Sequence, residues 1–219
     1  MSEIKIQTSR LTLSELQESD FSDFCKLIQD DELMRFDGGA VSDDDAKWFF
    51  DKQIENYREL GFGIWICRLN ETSETVGICG LRQRTLKRED DVELAFLFHK
   101  KYSEQGFEEE TMSACIEFAI KTLDVPEVFA VIHTDDTTAL NVAERIGMKK
   151  VGTGKEQKTD DDTVENHIIF SVKNENWFFI RINYSTDPDN PEYSNEMVFH
   201  KDDAKRKKQK KQEEIKCTQ

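Results

Sequence analysis

The chain is 219 residues long, 37% hydrophobic and 34% charged, with a formal net charge of −15 and a mean hydropathy of −0.68. That suits one domain of about 150–200 residues with a respectable core, and it excludes a chain disordered throughout. Residues 201–219 hold eight Lys or Arg against four acids, a charge of +4, so the first 200 residues carry −19 and would repel a nucleic-acid backbone while attracting cations.

Thr8–Leu16 reads as a strand, with Leu11, Leu13 and Leu16 among polar neighbours. Phe21, Phe24, Leu27 and Ile28 recur at helical spacing and predict a helix over about 19–30. Ser42 followed by Asp45 is a capping-box signature, and the helix behind it presents Phe50, Ile54 and Tyr57 and stops before Gly61. Phe62–Leu69 and Thr75–Gln83 are β-type runs joined by a hairpin signal over 70–74, and Asp91–Phe98 is a third. Met112, Cys115, Ile116 and Ala119 then mark a helix over about 107–123, followed by a strand Val128–His133. Asp136–Ile146 is a helix stopped by Gly147, and Met148–Lys155 and Val164–Val172 are two further strands. The order is a mixed α/β arrangement, a sheet with helices on its faces. A boundary is expected near 178: beyond it come a candidate strand Phe178–Tyr184, a turn or linker around Pro188 and Pro191, and a basic tail.

Gly106 stands where a loop becomes a helix, a junction that offers free N–H groups and the positive end of a helix dipole to a phosphate. Around it, Glu93-Leu94-Ala95-Phe96-Leu97-Phe98 and Tyr102-Ser103-Glu104-Gln105-Gly106-Phe107 resemble the strand and phosphate-binding turn of the GNAT superfamily of N-acetyltransferases. More narrowly, the chain looks like the ribosomal-protein-alanine acetyltransferase (RimJ/RimL) type. The likeness runs in register over about residues 8–178. It takes in Thr8-x-Arg10-Leu11-x-Leu13, Gly61 to Trp65, Val76-Gly77 to Gly80-Leu81, the segment from His133 to Met148, and a closing strand ending at Trp177.

The resemblance implies a mostly antiparallel central sheet flanked by helices, and direct acetyl transfer from acetyl-CoA to an amine, with no metal. It places Leu94, Ala95 and Phe96 beside the cofactor's pantetheine, and Gln105, Gly106 and Phe107 at its pyrophosphate. Asp136 falls where the family has a cofactor-contacting Asn. Glu93 matches the strand carboxylate that serves as base, directly or through water. Chemically it suits the task, since a partly buried carboxyl can be raised toward the pKa that a base needs; a solvated or ion-paired strand Glu is the structural alternative. Tyr102 is the nearest candidate for protonating the leaving thiolate, against an ordinary packed aromatic. Asp136 also suits the N-cap of the helix behind it, and His133 a capping or packing role.

The turn departs from the family pattern: Ser103, Glu104 and Glu108 stand at positions where the family has other residues, and Glu109 follows in the helix's first turn. One carboxylate ~5 Å from a phosphate charge costs roughly 3 kcal/mol at an effective dielectric near 20, so the orientation of these side chains decides whether the cofactor binds. With Asp136 and Ala139, this supports a second reading, a non-catalytic GNAT-fold interaction module. A third reading is an adaptor acting on anionic surfaces through residues 201–219.

Five cysteines without a C-x-x-C spacing predict a reduced intracellular compartment, with Cys79 and Cys115 as core residues. The opening residues lack a secretion signal's apolar stretch, and no apolar run approaches a membrane span. A cytoplasmic protein is expected, with the Lys205–Lys211 stretch as a nuclear-import signal in a second reading. The expected partner is a cationic amine: a protein N-terminus, a lysine or a small polyamine, with no nucleic acid at the acidic body and no membrane. The oligomeric state is not legible.

Overall fold

The structure, a computed structural model, describes residues 5–103, 105–157, 164–183 and 194–200. The chain divides into two compact units, Met1–Val172 and Lys173–Gln219. The first is an eight-stranded sheet in the order β1-β2-β3-β4-β5-β6-β8-β7. Its strands are β1 (Lys5–Gln7), β2 (Leu11–Ser14), β3 (Ile64–Leu69), β4 (Thr75–Gln83), β5 (Val92–Phe98), β6 (Glu127–His133), β7 (Lys149–Gln157) and β8 (Val164–Lys173). Pairing is antiparallel from β1 through β5 and between β7 and β8, and parallel between β5 and β6. Four helices complete it: α1 (Phe21–Ile28), α2 (Asp43–Glu59), α3 (Phe107–Lys121) and α4 (Thr137–Arg145). This is the expected mixed, mostly antiparallel architecture.

The helices form where local signals say they should. Ser42 Oγ accepts from the Asp45 N–H, and Asp136 Oδ1 accepts from the Ala139 N–H at 3.0 Å. Gly147 follows α4 with φ of 87°, the left-handed stop that glycine adopts without strain. Two spans differ from expectation. Of the strand expected over Thr8–Leu16 only β2, Leu11–Ser14, forms, and β1 before it was not expected; between them Thr8 turns the chain and bonds Leu11 through its N–H and its hydroxyl. The helix expected from about 19 begins as a 3₁₀ turn, Glu18–Asp20, before α1.

The core lies between sheet and helices. Trp65, Phe50, Phe129, Leu11, Leu13 and Met112 are fully buried, and Trp65 meets Phe118 edge-on at 5.3 Å. Ladder pairing of β3 with β4 requires Gly80: a Cβ there would run into the Gly63 carbonyl and the Ile64 Cα. Cys79 and Cys115 face each other in this core with sulfurs 3.6 Å apart, both fully buried as packing residues, and burial pushes the Cys115 thiol well up.

In the second unit, β9 (Trp177–Asn183) pairs antiparallel with β10 (Ser194–His200). The division after Val172 comes earlier than the boundary expected near 178, and Trp177, expected to close the first domain, stands in β9. The expected turn around Pro188 and Pro191, the basic tail 201–219 and Glu104 lie outside the described residues. Among the described residues no helix is long and apolar enough to cross a membrane, and no cluster of His, Cys, Asp and Glu could hold a metal.

Candidate active site

β5 and β6 run parallel but pair only at Val92–Val128 and Glu93–Phe129; beyond that point their ladder ends. Both strands lead into helices, α3 and α4, so the opening lies outside the carboxyl ends of two parallel strands, where α/β sheets hold ligands. A cleft of about 980 Å³ fills it. Its walls are Leu94–Phe98 of β5, Val131–His133 of β6, the start of α4 with Asp136 and Ala139, and the α1–α2 connection with Phe36 and Asp37.

Glu93 sits at the apex, 1% exposed. Arg82, its cross-strand partner on β4, donates Nε–H to Oε2 at 2.6 Å, and Arg84 donates Nη1–H to Oε1 at 3.1 Å. Arg84 is fixed in turn by its backbone N–H, which donates to the Asp91 carbonyl. The Asp91 carboxylate organises the loop between, accepting from the Lys87 and Arg88 N–H groups and from the Arg88 guanidinium. The expected base is thus a buried carboxylate paired with two partly exposed arginines, the ion-paired alternative weighed for it, and it lines the cleft.

At the mouth, α3 begins after Gly106, whose φ of 74° lies in the left-handed region that glycine adopts without strain. Arg10 clamps this turn. It donates Nη1–H to the Gln105 carbonyl at 2.8 Å and Nη2–H to the Gly106 carbonyl at 3.2 Å, lies 4.4 Å over the Phe107 ring, and pairs with Glu110 at 2.6 Å. Burial pushes the Glu110 carboxyl up, but donors from Thr8, Ser9 and both the backbone and side chain of Arg10 outweigh it and hold it down to about 2. Glu109 reaches α4 and pairs with Arg145 at 2.7 Å. Glu108 is the exception: it is 8% exposed, lines the cleft, and has its own backbone N–H as hydrogen-bond donor. Burial pushes its carboxyl up, the N–H and Arg145 oppose that, and Glu109 adds to it.

The α1–α2 connection closes one wall. Phe36 stacks on His133 at 4.9 Å, and His133 meets His167 edge-on at 5.5 Å. The His133 Nδ1 accepts from the Asp135 N–H, and the buried His167 Nδ1 has no hydrogen-bond partner among the described residues. Desolvation between the cleft walls pushes the Asp37 carboxyl above its ordinary range; Arg82 pulls it back, Glu93 and Asp136 push it further, and His167 opposes them.

Of the residues singled out from sequence, Glu93, Leu94, Ala95, Phe96 and Asp136 line this cleft. Asp136 caps α4 with one oxygen, as its composition suggested. Tyr102 is not among the residues that line the cleft: the 3₁₀ turn Lys100–Tyr102 points Lys100 and Ser103 at the cleft and turns Tyr102 onto Phe107, beside Glu74 and Lys101. It is a buried, packed aromatic. Phe107 is buried beneath Arg10, and Gln105 folds back onto the Lys101 carbonyl, so what this turn offers a ligand is backbone. Sequence reasoning missed Arg82, Arg84 and His167. The two arginines were within reach, since a hairpin register opposes Arg82 to Glu93; His167 carries no such signal.

Residues 10–149, well over half of the chain, match the family described as acetyltransferase (GNAT) domain. The uncharacterized protein YkkB of Bacillus subtilis is 23% identical over 145 residues, 66% of this chain and 84% of that protein. The ribosomal-protein-S5-alanine acetyltransferase from Vibrio fischeri superposes with a TM-score of 0.66 at 13% identity, over 78% of this chain and 97% of that one. The spermidine N-acetyltransferase from Vibrio cholerae, solved with CoA and spermine, gives 0.64 at 12% identity, over 76% and 96%. At these identities the structural likeness is one of fold.

Proposed function

The chain belongs to the GNAT acetyltransferase family of acyltransferase enzymes, and from that premise we propose that it transfers an acetyl group from acetyl-CoA to a primary amine. The observation that carries the reading is the cleft where β5 and β6 part, with the Arg10-clamped start of α3 at its mouth. Leu94, Ala95 and Phe96 flank the donor's pantetheine, and the amides after Gly106 face its pyrophosphate, where a helix N-terminus favours an anion. The donor supplies a thioester carbonyl. A cationic acceptor first loses one proton to solvent; the free amine nitrogen then attacks that carbon, the N–C bond forms, the C–S bond breaks, and the nitrogen's remaining surplus proton passes to Glu93 directly or through one water. The thiolate takes a proton from solvent.

The acceptor reading is a cationic amine: a protein N-terminus, a lysine or a polyamine. A body of −19 supports it, with Asp37, Glu93 and Asp136 in the cleft walls. One structural neighbour is named for a ribosomal-protein alanine and another was solved with spermine, so both kinds of amine are met in this fold.

Calorimetric titration with acetyl-CoA at moderate salt tests the donor half, and thiol release with a panel of amines tests the acceptor half. A micromolar dissociation constant is expected. No heat up to millimolar acetyl-CoA, with an unchanged melting temperature, overturns the reading in favour of a non-catalytic module. The carboxylate of Glu108 in the donor turn is the observation that favours that second reading.

A further inference from the structure

Three consecutive glutamates open α3, and two of them have been removed from the path of a ligand: Glu110 is bound by Arg10, Ser9 and the Arg10 N–H, and Glu109 by Arg145. Glu108 remains. Its side chain is buried in the cleft wall beside the helix start, where the free N–H groups of the first turn point. It has its own N–H as donor, so it occupies one of the amides that a phosphate would use.

We propose that Glu108 is a donor-site residue, a built-in competitor for the α3 amides that must take up a proton for the donor's phosphates to bind. The inference rests on the acetyl-CoA reading above. Two features make protonation the route rather than a swing into water. The side chain is 8% exposed, and the cation that favours its charge, Arg145, is already held by Glu109. Glu109 shares its helix turn and disfavours its charge; Arg145, on α4, favours it. Asp136, at the head of α4, lines the same cleft and adds a like charge, while Lys100, on the preceding turn, lines the cleft but pairs with Glu32. Burial already biases the Glu108 carboxyl toward its neutral form, so the proton needed on binding is one that the site is prepared to accept. A neutral Glu108 can turn from acceptor to donor and bond a phosphate oxygen rather than oppose it.

The test uses the full chain, with CoA itself as the probe. Calorimetric titrations at pH 6, 7 and 8, each in two buffers of different ionisation enthalpy, give affinity and proton uptake together. Wild type takes up close to one more proton than Glu108→Gln at neutral pH and above, after the titration of CoA's own phosphates cancels between the two. Its affinity, relative to the variant, weakens by up to about tenfold per pH unit as pH rises. At pH 8 the variant binds CoA about tenfold more tightly or better, and the advantage shrinks toward pH 6. Glu108→Ala repeats the comparison without asking the cleft wall to hold an amide, and matching circular dichroism spectra establish that all three proteins are folded. Equal affinities and equal proton uptake, or weaker binding by both variants, overturn the inference while leaving the donor reading intact. Absence of binding by wild type and both variants overturns the donor reading, and this inference falls with it.

Discussion

Glu93 and Glu108 mark the two ends of one cleft, 1% and 8% exposed, and they are answered in opposite ways. Glu93 has two guanidiniums; Glu108 has an amide of its own residue and a like charge beside it. Burial is common to both, so burial does not decide what each does to a ligand. The partners do, and they come from elements far apart in sequence. The same contrast recurs within a single helical turn, where Glu110 is drawn down to about 2 while its neighbour two residues earlier is pushed up. A turn that reads in sequence as a block of three negative charges presents the cleft with one.

Glu93→Ala is the change that breaks the apex. It leaves two converging arginines without their shared carboxylate, one of them mostly buried, and should cost about 3 kcal/mol in chemical denaturation. Glu93→Gln keeps the shape and removes the charge; it should fold better and still lose about 10²-fold or more in kcat/KM with any amine that turns over. Full activity in Glu93→Gln would show the triad to be structural alone.

Glu110→Gln tests the clamp at the mouth. A carboxyl held down to about 2 against an ordinary 4.5 contributes about 3 kcal/mol at pH 7, present in full above its unfolded value and lost as pH falls through the folded one. For a chain of this size the melting temperature should drop by about 6–12 °C at pH 7, and the gap to wild type should close as the pH is lowered toward 3. A gap independent of pH would assign the loss to packing around Arg10 rather than to charge.

How much of this was written in the sequence follows from the range of each interaction. The strands from Ile64 to Phe98 and the helices from Ser42 and Asp136 rest on alternation and caps, signals a few residues long, and they were legible to within a residue or two. The strand β1 was not, because it is only three residues long and the leucines that mark a strand all lie beyond the Thr8 turn. The site was legible as a strand and a turn but not as a set of partners. Arg10 and Glu110 are 100 residues apart, and which way Tyr102 faces depends on a three-residue 3₁₀ turn that no periodicity announces. Resemblance supplied the place proposed for the donor; the fate of each acidic side chain there had to come from three dimensions.

Two smaller changes separate a local cause from a global one. Glu108→Gln removes a carboxyl raised by burial. Such a group makes stability fall as pH rises through its folded value, so the variant should be more stable than wild type at pH 8 and lose that advantage near pH 4. Glu109→Gln removes the same formal charge from the adjacent residue but takes it from a half-exposed pair with Arg145, whose contribution is about 0–1 kcal/mol and screened by salt. Its melting temperature should shift by no more than about 3 °C, and downward, with CoA affinity close to wild type. If Glu109→Gln instead tightened CoA as Glu108→Gln is expected to, the donor turn would be responding to its total charge. If it does not, one buried carboxylate is what a phosphate meets there, and the position of a glutamate within a single helical turn determines whether it guards the cofactor site or merely holds the helix in place.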